Sequence, residues 1–180
     1  MNLNQLAEQA KTLGATASGV IKTSDLRFSE EFRTLCEQNT CGNYGTNWMC
    51  PPAVSPFKEV RANVMKFSQG VVFQTVHTLE DSFDYEGMMK GVDTHFEIFS
   101  RISDFIRSDC GYPDVFALNA GACKICEKCT YPDGAPCRFP DRAVPSIESH
   151  CIDIFALLAC CDIPYNNGPN TVFYAGLFLF

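Results

Sequence analysis

The chain has 180 residues and 46% hydrophobic content, enough to bury one sizeable core and to predict a single domain over residues 1–180. Its 14 basic and 21 acidic residues give a formal charge of −7 with no Lys/Arg block. That balance argues against nucleic acid as a partner, because phosphate binding needs a basic stripe. The simplest reading of the charge is solubility, with an electrostatic docking face as the alternative. No basic n-region followed by an apolar h-region opens the chain, so no secretory signal is expected. The longest apolar run, 172–180, falls short of the roughly 20 residues a membrane-crossing helix needs. The expected setting is the cytoplasm, with no membrane partner.

Leu3, Leu6, Ala7, Ala10 and Leu13 recur at helical spacing, and Gly14 ends that first helix. A short strand is expected over 19–22, then a helix over 30–36 capped by Ser29, with Cys36 at its end. Ser55-Pro56 predicts a helix start with a cap and an early proline, running to about Phe67, with Gly70 as breaker. Val71 to Val76 reads as a strand. A long helix over 92–108 presents Phe96, Phe99, Ile102, Phe105 and Ile106 to the core and stops at Gly111. A strand over 115–118 leads into a cysteine-rich stretch. Ser146 predicts the cap of a last helix carrying Ile147, Ile154, Leu157 and Leu158. A turn at 166–169 and a closing strand over 172–180 complete the chain. The pattern is α+β: one small sandwich with a mostly antiparallel or mixed sheet, helices packed on it, and two Cys-rich metal-binding loops meeting at one end.

Those loops, at about 36–52 and 121–140, hold seven of the eleven cysteines. In a reducing compartment, clustered cysteines point to metal or catalysis, and an odd total fits poorly with a closed disulfide framework. The second loop reads Cys123-x2-Cys126-x2-Cys129-x7-Cys137. A thiolate at every third residue suits the separated iron corners of a cubane. A single zinc ion usually draws on two separate two-cysteine knuckles. The middle residue, Cys126, is therefore the discriminating one, and a [4Fe-4S] cluster is favoured over zinc. Gly121 gives the backbone room to approach. Cys137 is the natural fourth ligand through the turn at 131–134, with a bridge to the first loop as the alternative. Arg138 follows it, either offsetting cluster charge or solvated.

The first loop, Cys36-x4-Cys41-x8-Cys50-Pro-Pro, contains Gly42, Gly45 and the only tryptophan, Trp48, placed to cover a cofactor or to anchor the loop. Two cubanes need eight thiolates and the loops supply seven. Three explanations are open: a further ligand from Cys110, Cys151 or Asn39; one iron left open for a small molecule; or zinc in the first loop alone. Cys110 and Cys151 are more often simple buried thiols. Cys160 and Cys161 are assigned to the core. His95 shares a face with Phe99 and Ile102 and reads as a packed histidine, while His77 and His150 lack partners at any recognisable spacing.

The first-loop run from Cys36 through Cys41-Gly-Asn-Tyr-Gly-Thr-Asn-Trp-Met-Cys50-Pro-Pro carries a resemblance, joined by Gly121 to Cys129 and Gly134-Ala-Pro-Cys137-Arg-Phe-Pro. Ser146-Ile-Glu148 and the closing strand extend it. Together these resemble a family of small predicted metal-binding, iron–sulfur-like proteins found mainly in anaerobic bacteria and archaea. The resemblance covers most of the chain. It implies cofactor binding and cytoplasmic anaerobic chemistry, and it supplies no reaction. The family pattern has a small residue near Cys151, so no shared ligand is implied there. The N-terminal helix, Gly14 and first strand also look faintly like the opening of epoxyqueuosine reductase, a likeness too short to carry a function.

Three functions compete. One is an iron–sulfur protein with one or two [4Fe-4S] clusters passing electrons to a partner redox enzyme. Another is an enzyme whose three-cysteine cluster works on a small molecule. The last is a zinc-stabilised interaction module. The Cys-x3-Cys-x2-Cys pattern of S-adenosylmethionine cleavage is absent, as are Ser/His/Asp arrays and phosphate-cradling or dinucleotide motifs.

Overall fold

The computed structural model describes residues 1–112 and 114–180. In chain order the elements are α1 (Leu3–Thr12), β1 (Ala17–Lys22), α2 (Glu31–Glu37), α3 (Phe57–Val64), β2 (Gln69–Thr78), α4 (Tyr85–Asp109), β3 (Phe116–Leu118), α5 (Ile154–Ala159) and β4 (Thr171–Leu179). The four strands form one antiparallel sheet in the order β1-β2-β4-β3. This is the α+β arrangement that the sequence predicts.

Alternation along β2 and β4 explains how the sheet serves two cores. Val71, Phe73 and Phe178 point to one face, where α1 and α4 supply Leu6, Ala10, Ile98, Phe99, Ile102 and Ile106. Val72, Leu177 and Leu179 point to the other, meeting Val64, Ile147, Ile152, Leu157 and Leu158. Phe73 pairs across the strands with Gly176. A side chain at 176 would run into the Phe73 ring, so glycine there is a packing requirement.

Several elements differ from the sequence expectation, each for a local reason. The long helix starts at Tyr85, seven residues earlier than its pattern suggests, because Asp84 accepts a hydrogen bond from the Gly87 amide at 2.8 Å and caps it. Gly87 and Gly91 disguise that first stretch. Gly91 is needed where the helix crosses His77 and Tyr174, whose rings lie 3.1 Å from any added Cβ. Phe96 and Phe105 are half-buried, and Ile98 is a core residue that the pattern missed.

Helix α3 begins after Pro56 without a side-chain cap and ends at Val64, while Gly70 lies inside β2, opposite Leu179. The helix expected from Ser146 is two pieces. A 3-10 turn over Glu148–His150 ends at Cys151, whose φ of 59° is left-handed and cannot continue a right-handed helix. Helix α5 then starts afresh under Asp153, which accepts from the Ala156 amide at 3.0 Å. Asp153→Ala is expected to lower stability by about 1 kcal/mol, read from urea midpoints.

His95 is buried in a polar chain across the sheet. Its Nε2 lies 2.8 Å from Asn119 Oδ1, and its Nδ1 lies 2.8 Å from Thr75 Oγ1, which in turn meets His77 Nε2 at 3.0 Å. The consistent assignment has His77 donating to Thr75, Thr75 donating to His95, and His95 donating to Asn119. His95 is therefore a satisfied core histidine, as its helical face suggests. Burial lowers its pKa from 6.5 to about 4.

The same burial acts on His150, also lowered to about 4, whose Nδ1 lies 3.2 Å from both Ser149 Oγ and Ser146 O. His150 thus has serine partners that sequence spacing did not show. In both cases the unfolded chain takes up the proton first. Stability is full above pH 6.5 and is lost as pH falls toward 4. The expected loss is on the order of 3 kcal/mol for His95 alone, checked by urea unfolding at pH 7.5 and 4.5.

Candidate metal centre

The second loop is an excursion with a pinned base. Asn119 donates its amide to Pro145 O and accepts from the Ile147 amide, both at 2.9 Å, so the chain leaves and returns at one place. The Asn119 side chain is the group held by His95, which fixes this exit to α4. Gly121, at φ 67°, turns the chain into the cysteine run. Lys124 then ties the run to α4 through Asp93 at 2.6 Å.

The return is set by short-range bonds. A 3-10 turn over Tyr131–Asp133 ends at Gly134, the Ala135 amide donates to Thr130 O, and the Thr130 hydroxyl donates to Pro136 O. Arg138 Nη1 donates to Lys128 O at 2.8 Å. These bonds lay 137 and 138 beside 128 and 129. Cys123, Cys126, Cys129 and Cys137 consequently line one cavity, together with Trp48, Met49, Ile125 and Phe139. Arg138 acts as a brace for this fold-back.

The first loop is held by its own asparagines. Asn39, left-handed at φ 53°, accepts from the Tyr44 amide through Oδ1 at 2.9 Å. That oxygen is thus engaged in the turn. Buried Asn47 accepts from the Met49 amide at 3.0 Å and turns the chain into Cys50. Cys50 is buried, Cys36 half-buried and Cys41 exposed. Burial raises the Cys50 thiol pKa first, a side-chain hydrogen bond from Asn47 opposes that, and the neighbouring Cys41, Cys36 and Cys123 raise it further. Cys50 therefore stands between its own loop and the second.

Trp48 joins the loops. Its indole N–H donates to Ala135 O at 3.1 Å, and its ring meets Tyr131 edge-on at 4.9 Å. The tryptophan lines the cavity of the second loop, not only its own.

Arg33, one turn before Cys36 on α2, escaped the sequence reading. Its Nη atoms donate to Val54 O, Ser55 O and Ser149 O, joining the helix to both flanking segments. Burial raises the Cys36 pKa most, the Arg33 charge lowers it, and Cys41, Cys151 and Glu148 raise it again. The three-residue spacing of Arg33 and Cys36 on one helix was the available signal. Fully buried Cys151 lies near this group. Cys110 does not: it caps α4 with its sulfur 3.9 Å from Met1 Sδ. Cys160 is exposed, contrary to its assignment to the core, because α5 turns it outward beside Asp25 O. Cys161 packs over Gly19, as expected of an inward thiol.

Among the described residues, no three His, Cys, Asp or Glu side chains converge on a point as a single-ion site. The second-loop sulfurs instead stand around a space. The cavity between them is small, about 20 Å3, and its four soft donors have the chemistry that suits iron–sulfur ligation.

A family model described as predicted metal-binding protein (DUF2284) matches residues 19–180. The chain belongs to this family. A search of curated proteins gives no significant match. Two solved structures are similar in part. One is epoxyqueuosine reductase from Bacillus subtilis, with TM-score 0.42 and 12% identity over 98% of this chain and 44% of that one. The other is epoxyqueuosine reductase with an epoxyqueuosine-modified tRNA-Tyr stem loop, at 0.41 and 11% with the same coverage. This chain thus spans less than half the length of either, and likeness at this level carries no argument about its chemistry. Among the described residues no helix is long and apolar enough to cross a membrane.

Proposed function

We propose that this metal-binding protein is an iron–sulfur redox protein. In this reading Cys123, Cys126, Cys129 and Cys137 hold a [4Fe-4S] cluster, and Cys36, Cys41 and Cys50 hold a second centre. The observation that carries the reading is the single cavity lined by all four second-loop thiols under a Trp48 cover. A bound cluster would supply one-electron chemistry there. The chain's own contribution is to bring four donors around one space and shield it with apolar side chains. The Trp48–Ala135 bond, which holds the two loops together, supports passage of electrons between the two centres. A partner redox protein would be their source or destination, in the cytoplasm.

A second reading, an enzyme acting on a small molecule at the three-cysteine loop, is favoured by one observation. A cavity of about 570 Å3 opens at the start of the second loop, lined by Gly121 and Glu148. Anaerobic purification with iron, sulfide and zinc analysis and electron paramagnetic resonance tests the main proposal. Iron and sulfide in equal amounts are expected. Zinc without sulfide would sink it.

A further inference from the structure

A cavity of about 570 Å3 lies apart from the four-thiol space. Its size is that of a small-molecule site. Tyr165 and Phe173 form an aromatic wall, meeting edge-on with centroids 5.0 Å apart. The rim is preorganised by bonds within its own turn. The Gly168 amide donates to Asn166 Oδ1 at 2.9 Å, and the Thr171 hydroxyl donates to Gly168 O at 2.8 Å.

One residue lining this cavity has an unpaired oxygen, and a second unpaired oxygen lies on the strand behind it. Glu148 lines it, yet its Oε2 is buried without a hydrogen bond. Gln74 is wholly buried, its amide Nε2 donating to Pro164 O at 2.9 Å while Oε1 is unpaired. Gln74 is the cross-strand partner of Ala175, a lining residue, and paired residues share a sheet face. Buried acceptors without donors are uncommon in native proteins and call for a partner. Gln74 Oε1 is an acceptor, and Glu148 is one when ionised; burial raises its pKa, so a cationic donor in the cavity would supply the charge that holds the carboxylate form. The terminal torsion of a glutamate is broad, so turning the carboxylate presents an oxygen to the cavity at little cost. The negative formal charge of the chain favours a cationic or neutral guest over an anionic one.

We propose that this cavity binds a small, flat ring bearing N–H donors, such as an amidine or an aminated nitrogen heterocycle, with Glu148 as its acceptor and Tyr165 and Phe173 as its wall. A guest here sits at the start of the second cysteine loop, beside Ala120 and Gly121. The site stands on protein side chains alone and is independent of which metal the loops hold.

The test uses the full chain, purified anaerobically and titrated with benzamidine as probe by calorimetry at pH 7.5. Saturable binding is expected, weakened at least tenfold by Glu148→Gln, with benzoate failing to bind. Tyr165→Ala is expected to weaken benzamidine as well, and gives a second reading should Glu148→Gln melt at a different temperature. Absence of saturable benzamidine binding overturns the proposal. So does benzamidine binding that neither variant changes, or benzoate binding of equal strength. Because calorimetry reads occupancy and iron analysis reads the loops, failure of one proposal is distinguishable from failure of the other.

Discussion

Cys126→Ser is expected to remove the iron of the second loop while leaving that of the first, and Cys41→Ser to do the converse. Cys126 lines the four-thiol cavity and has no place among the residues around Cys36. Losing the middle donor of the run leaves the remaining thiols too few to hold a cubane, and serine is a harder and poorer ligand for iron. Each variant should then retain about half the iron and sulfide of the parent under two-cluster loading, with the visible absorbance reduced in step. Metal analysis and electron paramagnetic resonance on anaerobically purified protein read the result. Loss of all iron from either variant would mean that the loops build one shared centre, an outcome that the closeness of Cys50 to Cys123 makes worth measuring. Serine at 137 is expected to behave as serine at 126, since both residues line the same cavity.

Phe73→Ala is expected to destabilise the fold by about 3–5 kcal/mol, the range for truncating a buried aromatic. Phe73 has no exposed surface and stacks near His95, Phe99 and Phe178 at centroid distances of 5.2, 6.2 and 6.1 Å. It faces Gly176, which has no side chain to move into the space, so the void would persist. For a chain of this size the melting temperature should fall by roughly 10 °C, measured by circular dichroism. A fall of only a degree or two would show that α4 collapses onto the sheet. The damage reaches the metal loops by a short route, because the ring stacks on His95, and His95 holds the exit of the second loop through Asn119.

The strands and most helices were legible because their signals are periodic and local. Val71 to Val76 alternates into two cores, and the apolar residues of α1 repeat at helical spacing. What misled were residues whose role depends on a distant partner. The helix expected from residue 92 begins at Tyr85, and Gly91 within it lies where the helix crosses His77 and Tyr174. Ser146 reads as a helix cap, but the left-handed Cys151 divides the segment and gives the cap to Asp153.

By itself, the sequence singled out the cysteine loops as the candidate centre of this protein's chemistry, since thiol spacing is a covalent property of the chain. It also pointed to Cys137 as the return of the second loop, because a turn-forming stretch precedes it. Only the tertiary structure decided which thiols share a space, that Trp48 of one loop roofs the other, and that Arg33 and Glu148 bring their charges to Cys36. The cavity beside Glu148 was wholly hidden, being assembled from β4, the turn after α5 and the start of the second loop. Spacing along a chain fixes which donors can wrap one centre. Burial, charge and shelter are set by segments that meet only when the sheet closes.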